Sequence, residues 1–202
     1  MKTKLKSKPA SAKSDSQMDN QEAITRLKDS VKCGELVVII GSGVSMALTN
    51  GKIPSLSWIG LIRDGFNYGV KKQKITADQA KTWEPQLGSK DIDDLLCAAE
   101  FASRKLDAPQ GSLYARWLEN VFKTVKPTNE AMVNALVTLK QSNIPICTLN
   151  YDPLLEHVLG MDGINLTEKN KVFAWFRREK ASILHLHGSW DNGRYNAPYL
   201  RR

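Results

Sequence analysis

The feature that most constrains the fold is a run of five aliphatic residues, 36–40, that leads directly into a glycine-rich turn. Continuous apolarity without alternation is typical of a strand that is buried on both faces, as in a parallel sheet covered by helices. Two further apolar-rich runs, residues 145–149 and 182–187, also end in polar residues or glycine. Helical patterns separate the three runs, so the sequence predicts an α/β fold with a mainly parallel sheet and helices on both faces.

Helical periodicity and capping residues place the covering helices. Residues 24–31 carry a short apolar stripe that predicts a helix before the first strand. Ser57 and Asp91 are predicted N-caps of two helices with clear apolar stripes, and Thr128 is the predicted N-cap of a later one. Pro153 suits the first position of a helix after the second strand.

The positive charge is concentrated at the two ends of the chain. Of the net charge of +8 over 202 residues, +3 lies in residues 1–20 and +2 in Arg201 and Arg202. The opening residues hold almost no large apolar side chain, so we expect a disordered basic tail over 1–22 and a single domain over 23–202. The tail could contact nucleic acid weakly or act as a nuclear address, but we favour a solvating extension, since the rest of the chain is not basic.

Cysteine usage and hydropathy indicate an intracellular, cytoplasmic protein. Cys33, Cys97 and Cys147 stand far apart and form no C-x-x-C pair, so neither a disulfide framework nor a zinc or other metal site is expected. The aliphatic run at 36–40 is far shorter than the roughly 18 residues of a membrane span. No apolar stretch follows the N-terminal lysines, so we expect no secretory signal and no membrane partner.

Ligands of open parallel sheets bind at the carboxyl ends of the strands. The first predicted end carries Gly41 and Gly43, which could adopt positive φ and let a phosphate approach the backbone amides. The third glycine of the dinucleotide fingerprint is missing, because Met46 occupies its place. Taken alone, the motif fits a dinucleotide loop and a plain strand-to-helix turn equally well.

The other two strand ends carry polar residues with structural as well as functional explanations. Asn150 is a common turn residue, and Asp152 before proline is a good helix N-cap. His187 could be a partly buried histidine that is hydrogen-bonded to backbone. His185 lies on the same strand face but further from the strand end, which favours a structural role.

In their order along the chain, residues 41–45, 148–152 and 186–189 resemble three signature stretches of the sirtuin family. These are its Gly-Ala-Gly-x-Ser loop, its Thr-x-Asn-x-Asp segment and its catalytic His-Gly. The variant Asn-Tyr-Asp, with Leu154, Leu155 and Glu156 after the intervening Pro153, is more similar to NAD-hydrolysing sirtuin-like domains and related stand-alone animal proteins than to histone deacylases. The resemblance covers residues 34–200 and implies a Rossmann-like domain with NAD as substrate or ligand.

The resemblance also implies site residues. Asn150 would orient the ribose or the attacking water, Asp152 would support that water or fix the loop, and His187 would act as the general base. The implied cofactor-binding residues are Gly41, Ser42, Gly43, Val44, Ser45, Thr148, Gly188 and Ser189. The expected reaction is cleavage of nicotinamide from NAD to give ADP-ribose.

Three differences from the family qualify that expectation. Pro-Ser-Leu-Ser-Trp at residues 54–58 replaces the Pro-Asp-Phe-Arg of deacylating sirtuins, and no cysteine after Cys147 could build their zinc module. Protein deacylation is therefore the weaker interpretation. The chain stops fifteen residues after His187, where the family's sheet continues. We expect a domain that is incomplete at its C-terminus and that self-associates through its open sheet edge. The alternative is a catalytically silent module that binds NAD or ADP-ribose, or that self-assembles.

Overall fold

The computed structural model describes residues 20–108, 111–191 and 194–196. These residues divide into two units, the first ending at Leu36 and the second beginning at Val37. In the first unit, α1 (Asn20–Cys33) is a helix without a buried residue, and its first three residues, 20–22, fall within the predicted tail. Residues 1–19 of that tail lie outside the described residues, as do residues 197–202, where we expected the sheet to stop short.

The second unit alternates helices and strands. Its first half contains β1 (Val38–Ile40), α2 (Ser42–Leu48), a 3₁₀ turn (Pro54–Leu56), α3 (Trp58–Lys71), α4 (Ala77–Leu87), α5 (Ile92–Lys105), α6 (Ser112–Phe122) and α7 (Glu130–Gln141). Its second half contains β2 (Ile146–Thr148), α8 (Leu154–Leu159), β3 (Asp162–Asn165), α9 (Lys169–Phe176), β4 (Ser182–His185), β5 (Ser189–Asp191) and β6 (Arg194–Asn196). No helix in the described part of the chain is both long and apolar enough to span a bilayer.

The four strands β1 to β4 form one sheet in the order β1-β2-β4-β3, and every pair is parallel. The fold is therefore α/β with a parallel sheet, as predicted. The register places Ile40 beside Thr148 and Thr148 beside His185. Because these strands end at the same level, the loops that follow them share one edge of the sheet. The hairpin β5–β6 is a separate antiparallel pair.

Helices cover both faces of the sheet. On one face, Ile40, Ile146 and Ile183 pack with buried residues of α2, α7 and α8. On the other face, residues of β2, β3 and β4 pack against Trp175 of α9. Burying these apolar side chains supplies most of the favourable free energy of folding, at about 25 cal/mol per Å² removed from water.

The expectation that the first strand is buried on both faces is wrong. Ile39 is 62% exposed, although it lies in register with the buried Cys147. Ile39 is exposed because β1 lies at the edge of the sheet, whereas α9, the helix on that face, packs against β3 and β4. The first strand is also shorter than predicted, since it begins at Val38.

Two predicted caps are confirmed, one predicted cap is wrong and two element bounds are corrected. The side chains of Ser57 and Asp91 accept hydrogen bonds from the first turns of α3 and α5. Thr128 is not the cap of α7, because its hydroxyl accepts a hydrogen bond from Asn50 (3.2 Å) and Asn129 caps the helix instead. Pro153 precedes α8 rather than opening it, and β4 ends at His185, two residues earlier than predicted.

Candidate functional site

The loops after β1, β2 and β4 lie side by side at the carboxyl edge of the sheet. The Leu149 amide donates to the Ile40 carbonyl (3.0 Å), and the Leu186 amide donates to the Thr148 carbonyl (2.9 Å). These bonds extend the strand pairing by one residue into the loops. The three signature segments are thus brought to one edge by the backbone itself.

A buried hydrogen-bond network joins the first two segments. The Ser45 hydroxyl on α2 donates to Asp152 Oδ2 (2.8 Å) and accepts from Asn150 Nδ2 (2.8 Å). Ser45, Asn150 and Asp152 are 1%, 7% and 4% exposed. We call them the Ser45–Asn150–Asp152 network, and it fixes the loop after β2 to the helix that follows the glycine turn.

Thr148 also fixes the loop after β2. Its hydroxyl donates to the Ile40 carbonyl (3.1 Å) and accepts from the Asn150 amide (3.0 Å). Thr148 is fully buried. The hydroxyls of Thr148 and Ser45, both predicted to bind the cofactor, are therefore bonded to groups of the protein beneath the loop.

Asp152 is a buried carboxyl with two partners. Besides the Ser45 hydroxyl, it accepts a hydrogen bond from the amide of Leu154, the first residue of α8 (3.2 Å). Burial raises the pKa of Asp152, and the two hydrogen bonds oppose this shift without cancelling it. The carboxyl is thus held at a cost in stability whenever it is ionised, and it anchors both the network and the start of α8.

The glycine turn is open to solvent rather than conformationally strained. Gly41 has extended backbone angles, φ −107° and ψ −178°, and neither Gly41 nor Gly43 has a positive φ. The positive φ that glycine would allow at these two positions is therefore not used. A Cβ added at either glycine would meet no atom within 4 Å. The protein's own packing thus leaves free space beside this backbone, with Ser42 and Val44 partly exposed next to it.

The residues of the third segment, 186–189, lie in two different environments. His187 is exposed, two residues beyond the end of β4. Gly188 has φ +90°, a conformation that requires glycine, and it turns the chain into β5. Ser189 is buried, and its hydroxyl donates to Asn165 Oδ1 on β3 (3.2 Å). His187 therefore remains accessible at the sheet edge, whereas Ser189 is bonded toward β3.

Sequence reasoning did not find the partner of His185. His185 is 1% exposed, with Nδ1 3.0 Å from the Asn150 carbonyl oxygen and Nε2 2.5 Å from Glu156 Oε1. Burial opposes protonation of the imidazole, but the hydrogen bond to Glu156 and its negative charge outweigh burial and raise the pKa of His185. Glu156 lies 29 residues before His185, and no local pattern in the sequence pairs the two residues.

Within the described residues, no group of three or more His, Cys, Asp or Glu side chains could hold a metal ion. The polar groups at the sheet edge are instead an amide, hydroxyls, a carboxyl and imidazoles, which suit binding and proton transfer. No protein-family model and no solved structure matches the chain. A functional assignment therefore depends on this geometry and on the motifs that occupy it.

Proposed function

We propose that this chain is a Rossmann-like, sirtuin-like domain that binds NAD and cleaves it to nicotinamide and ADP-ribose. The observation that carries the proposal is the Ser45–Asn150–Asp152 network. It joins the glycine turn to the Asn-Tyr-Asp loop at the carboxyl edge of a parallel sheet, which is where open α/β sheets bind nucleotides. The adjacent loop holds the exposed His187.

The reaction replaces the bond from the ribose carbon to the nicotinamide nitrogen with a bond to the oxygen of water. Nicotinamide leaves as a neutral molecule, and the water gives up one proton. Glycoside cleavage of this kind passes through an oxocarbenium-like transition state. The protein must therefore orient the ribose, admit one water molecule and accept its proton.

Each site residue has a role in that scheme. Asn150, whose side chain is fixed by its bond to Ser45, orients the ribose or the attacking water through Oδ1. Asp152 fixes the loop, since both of its oxygens are bonded within the protein. His187 is accessible and acts as the general base toward a ribose hydroxyl or the water.

The pyrophosphate binds at the glycine turn in this proposal. The free space beside Gly41 and Gly43 lets the phosphates approach the backbone amides, with the Ser42 hydroxyl alongside. The buried Ser45 and Thr148 then act on NAD through the loops that they fix, because their hydroxyls are already bonded.

A nicotinamide-release assay on purified protein tests the proposal. His187→Ala should lower the rate on the order of a hundredfold or more, the usual contribution of a general base, and Asn150→Ala should also lower it strongly. His157→Ala is the matched control, since His157 is an exposed histidine of α8, and it should not change the rate. The proposal is wrong if wild type releases no nicotinamide, or if the two site variants match wild type.

We also propose that the protein self-associates and that it is intracellular and cytoplasmic. Val37, Ile39 and Leu149 are 46%, 62% and 42% exposed at or beside the strand that ends the sheet, and open edges of this kind favour association. The three cysteines stand far apart in the sequence and form no C-x-x-C pair, a usage that supports a reducing compartment. If the protein binds NAD in calorimetry but releases no nicotinamide, the silent binding module is the better description.

A further inference from the structure

The imidazole of His185 connects two elements beneath the site. Its Nδ1 lies 3.0 Å from the Asn150 carbonyl oxygen, and its Nε2 lies 2.5 Å from Glu156 Oε1 on α8. A carbonyl oxygen can only accept, so Nδ1 must carry a proton and donate it to this bond. The Asn150 peptide is therefore held by a side chain from the neighbouring strand.

Glu156 holds the His185 imidazole through one oxygen of its carboxyl. Its second oxygen, Oε2, is buried without a hydrogen-bond partner in the described part of the chain. The carboxyl therefore acts through Oε1, which fixes the imidazole ring in the orientation that directs Nδ1 at Asn150. Carboxylates commonly orient histidines in this way where the other ring nitrogen has a function.

The sheet leaves room for this pair at Gly163. A Cβ on Gly163 would lie 2.5 Å from Glu156 Oε1 and 3.2 Å from His185 Nε2. Gly163 is on β3, beside β4, and its φ is not positive. Steric room for the pair, rather than backbone conformation, is thus what glycine provides here.

We infer that Glu156 and His185 form a positioning pair that fixes the Asn150 peptide, and with it the Asn150 side chain, for cleavage of NAD. This inference rests on the proposed function. His185 is 1% exposed, so it acts through Asn150 rather than on the substrate. Asn150 is then held at three points, by Ser45 at its side-chain amide, by Thr148 at its backbone N–H and by His185 at its backbone carbonyl.

Two substitutions of His185 separate the two hydrogen bonds. In His185→Asn, the side-chain amide nitrogen takes the place of Nδ1, so it keeps the bond to the Asn150 carbonyl and loses Glu156. In His185→Gln, the amide nitrogen takes the place of Nε2, so it keeps Glu156 and loses the carbonyl. The positioning role predicts that His185→Gln has a kcat on the order of tenfold or more below that of His185→Asn, with similar KM for NAD.

Thermal unfolding of the same variants distinguishes positioning from a merely structural role. His185→Asn leaves a partly buried carboxyl without its partner, so it should have the lower Tm of the two variants. A structural role would make the less stable variant the less active one. The positioning role predicts the reverse order, in which the less stable variant keeps more activity.

Gly163→Ala tests the pair without changing a hydrogen-bonding side chain, and it decides the question if the His185 variants do not fold. It should lower kcat by displacing the pair. Gly88→Ala is the matched control, since its Cβ would meet its nearest atom, the Pro85 carbonyl oxygen, at 3.6 Å. It should leave kcat unchanged. Equal kcat values for Gly163→Ala and Gly88→Ala would overturn the inference.

The remaining outcomes separate the inference from the proposed function. If wild type is active and His185→Gln equals or exceeds His185→Asn, the positioning pair is wrong and the proposed function stands. If wild type releases no nicotinamide, the proposed function is wrong. The pair is then tested by the ¹³C resonance of the Asn150 carbonyl. A shift in His185→Gln but not in His185→Asn supports the pair, and equal resonances overturn it.

Discussion

Removing the Ser45 hydroxyl is the sharpest test of the buried network. Ser45→Ala deletes one oxygen that donates to Asp152 and accepts from Asn150, each over 2.8 Å. Ser45 is 1% exposed. The space left is that of a single hydroxyl, smaller than the volume of about 30 Å³ that a water molecule occupies in the liquid. Both partners therefore lose a hydrogen bond without a replacement.

The expected loss of stability follows from these two bonds. A buried amide left without an acceptor costs about 1–3 kcal/mol, and a hydrogen bond to a charged group contributes about 1.5–3 kcal/mol. The two losses are not additive, because both partners bond to the same hydroxyl and relax together. We expect the free energy of unfolding to fall by about 3 kcal/mol at pH 7.

The loss should depend on pH in a defined direction. Burial already raises the pKa of Asp152 above its unfolded value, and the Ser45 hydroxyl opposes that rise. Without the hydroxyl the folded pKa rises further, so the cost of keeping the carboxylate ionised is larger at neutral pH. This cost disappears as the pH falls through the folded pKa. The difference between Ser45→Ala and wild type should therefore be smaller at pH 5 than at pH 7.

Urea unfolding at the two pH values measures both effects. Ser142→Ala is the control, because Ser142 is an exposed serine at the end of α7, and it should stay within about 0.5 kcal/mol of wild type. A loss below about 1 kcal/mol for Ser45→Ala would refute the network as a buried, fully bonded unit. A loss that does not change with pH would refute the cost assigned to the ionised Asp152.

Three further predictions concern other parts of the molecule. The raised pKa of His185 implies that the stabilisation by its protonated form is complete below pH about 6.5 and is lost as the pH rises through the folded pKa. Thermal unfolding over a series of pH values should show this loss of stability. In Glu156→Gln the loss of stability with rising pH should be smaller. Gly188→Ala should cost about 1–2 kcal/mol in urea unfolding, because φ is +90° there, and an unchanged stability would contradict that backbone conformation. Ile39→Lys should leave Tm within a few degrees of wild type, because Ile39 is 62% exposed. It should also lower the particle mass measured by light scattering. An unchanged oligomer would exclude β1 as the surface of self-association, and an unfolded variant would contradict the exposure of Ile39.

The sequence predicted those parts of the fold that depend on local patterns. The three apolar runs are strands, and their polar ends lie at one sheet edge, because parallel strands place their carboxyl ends together. Continuous apolarity did not reveal that β1 lies at the edge, since the exposure of Ile39 depends on which helix covers which strand. Three of the four residues of β3, Asp162, Gly163 and Asn165, have low strand propensity, and β3 forms a strand through its pairing with β4.

Tertiary contacts also decided details that local signals left open. Thr128 and Asn129 can both cap a helix, and the bond from Asn50 to Thr128 leaves Asn129 as the cap of α7. The sequence does contain a capping box at the start of α4, a signal that predicts this helix. His185 is buried and bonded within the protein, but its partner Glu156 could not be paired with it before the position of α8 on the sheet was known.

The most direct test of the proposed reaction is the product balance of purified wild-type protein incubated with NAD alone. Nicotinamide and ADP-ribose should appear in equal amounts, without any acylated peptide, and at a rate that His157→Ala does not change. Absence of both products would contradict the proposed hydrolysis. Products that form only when an acylated peptide is added would contradict it equally, and would make deacylation the reaction of this site.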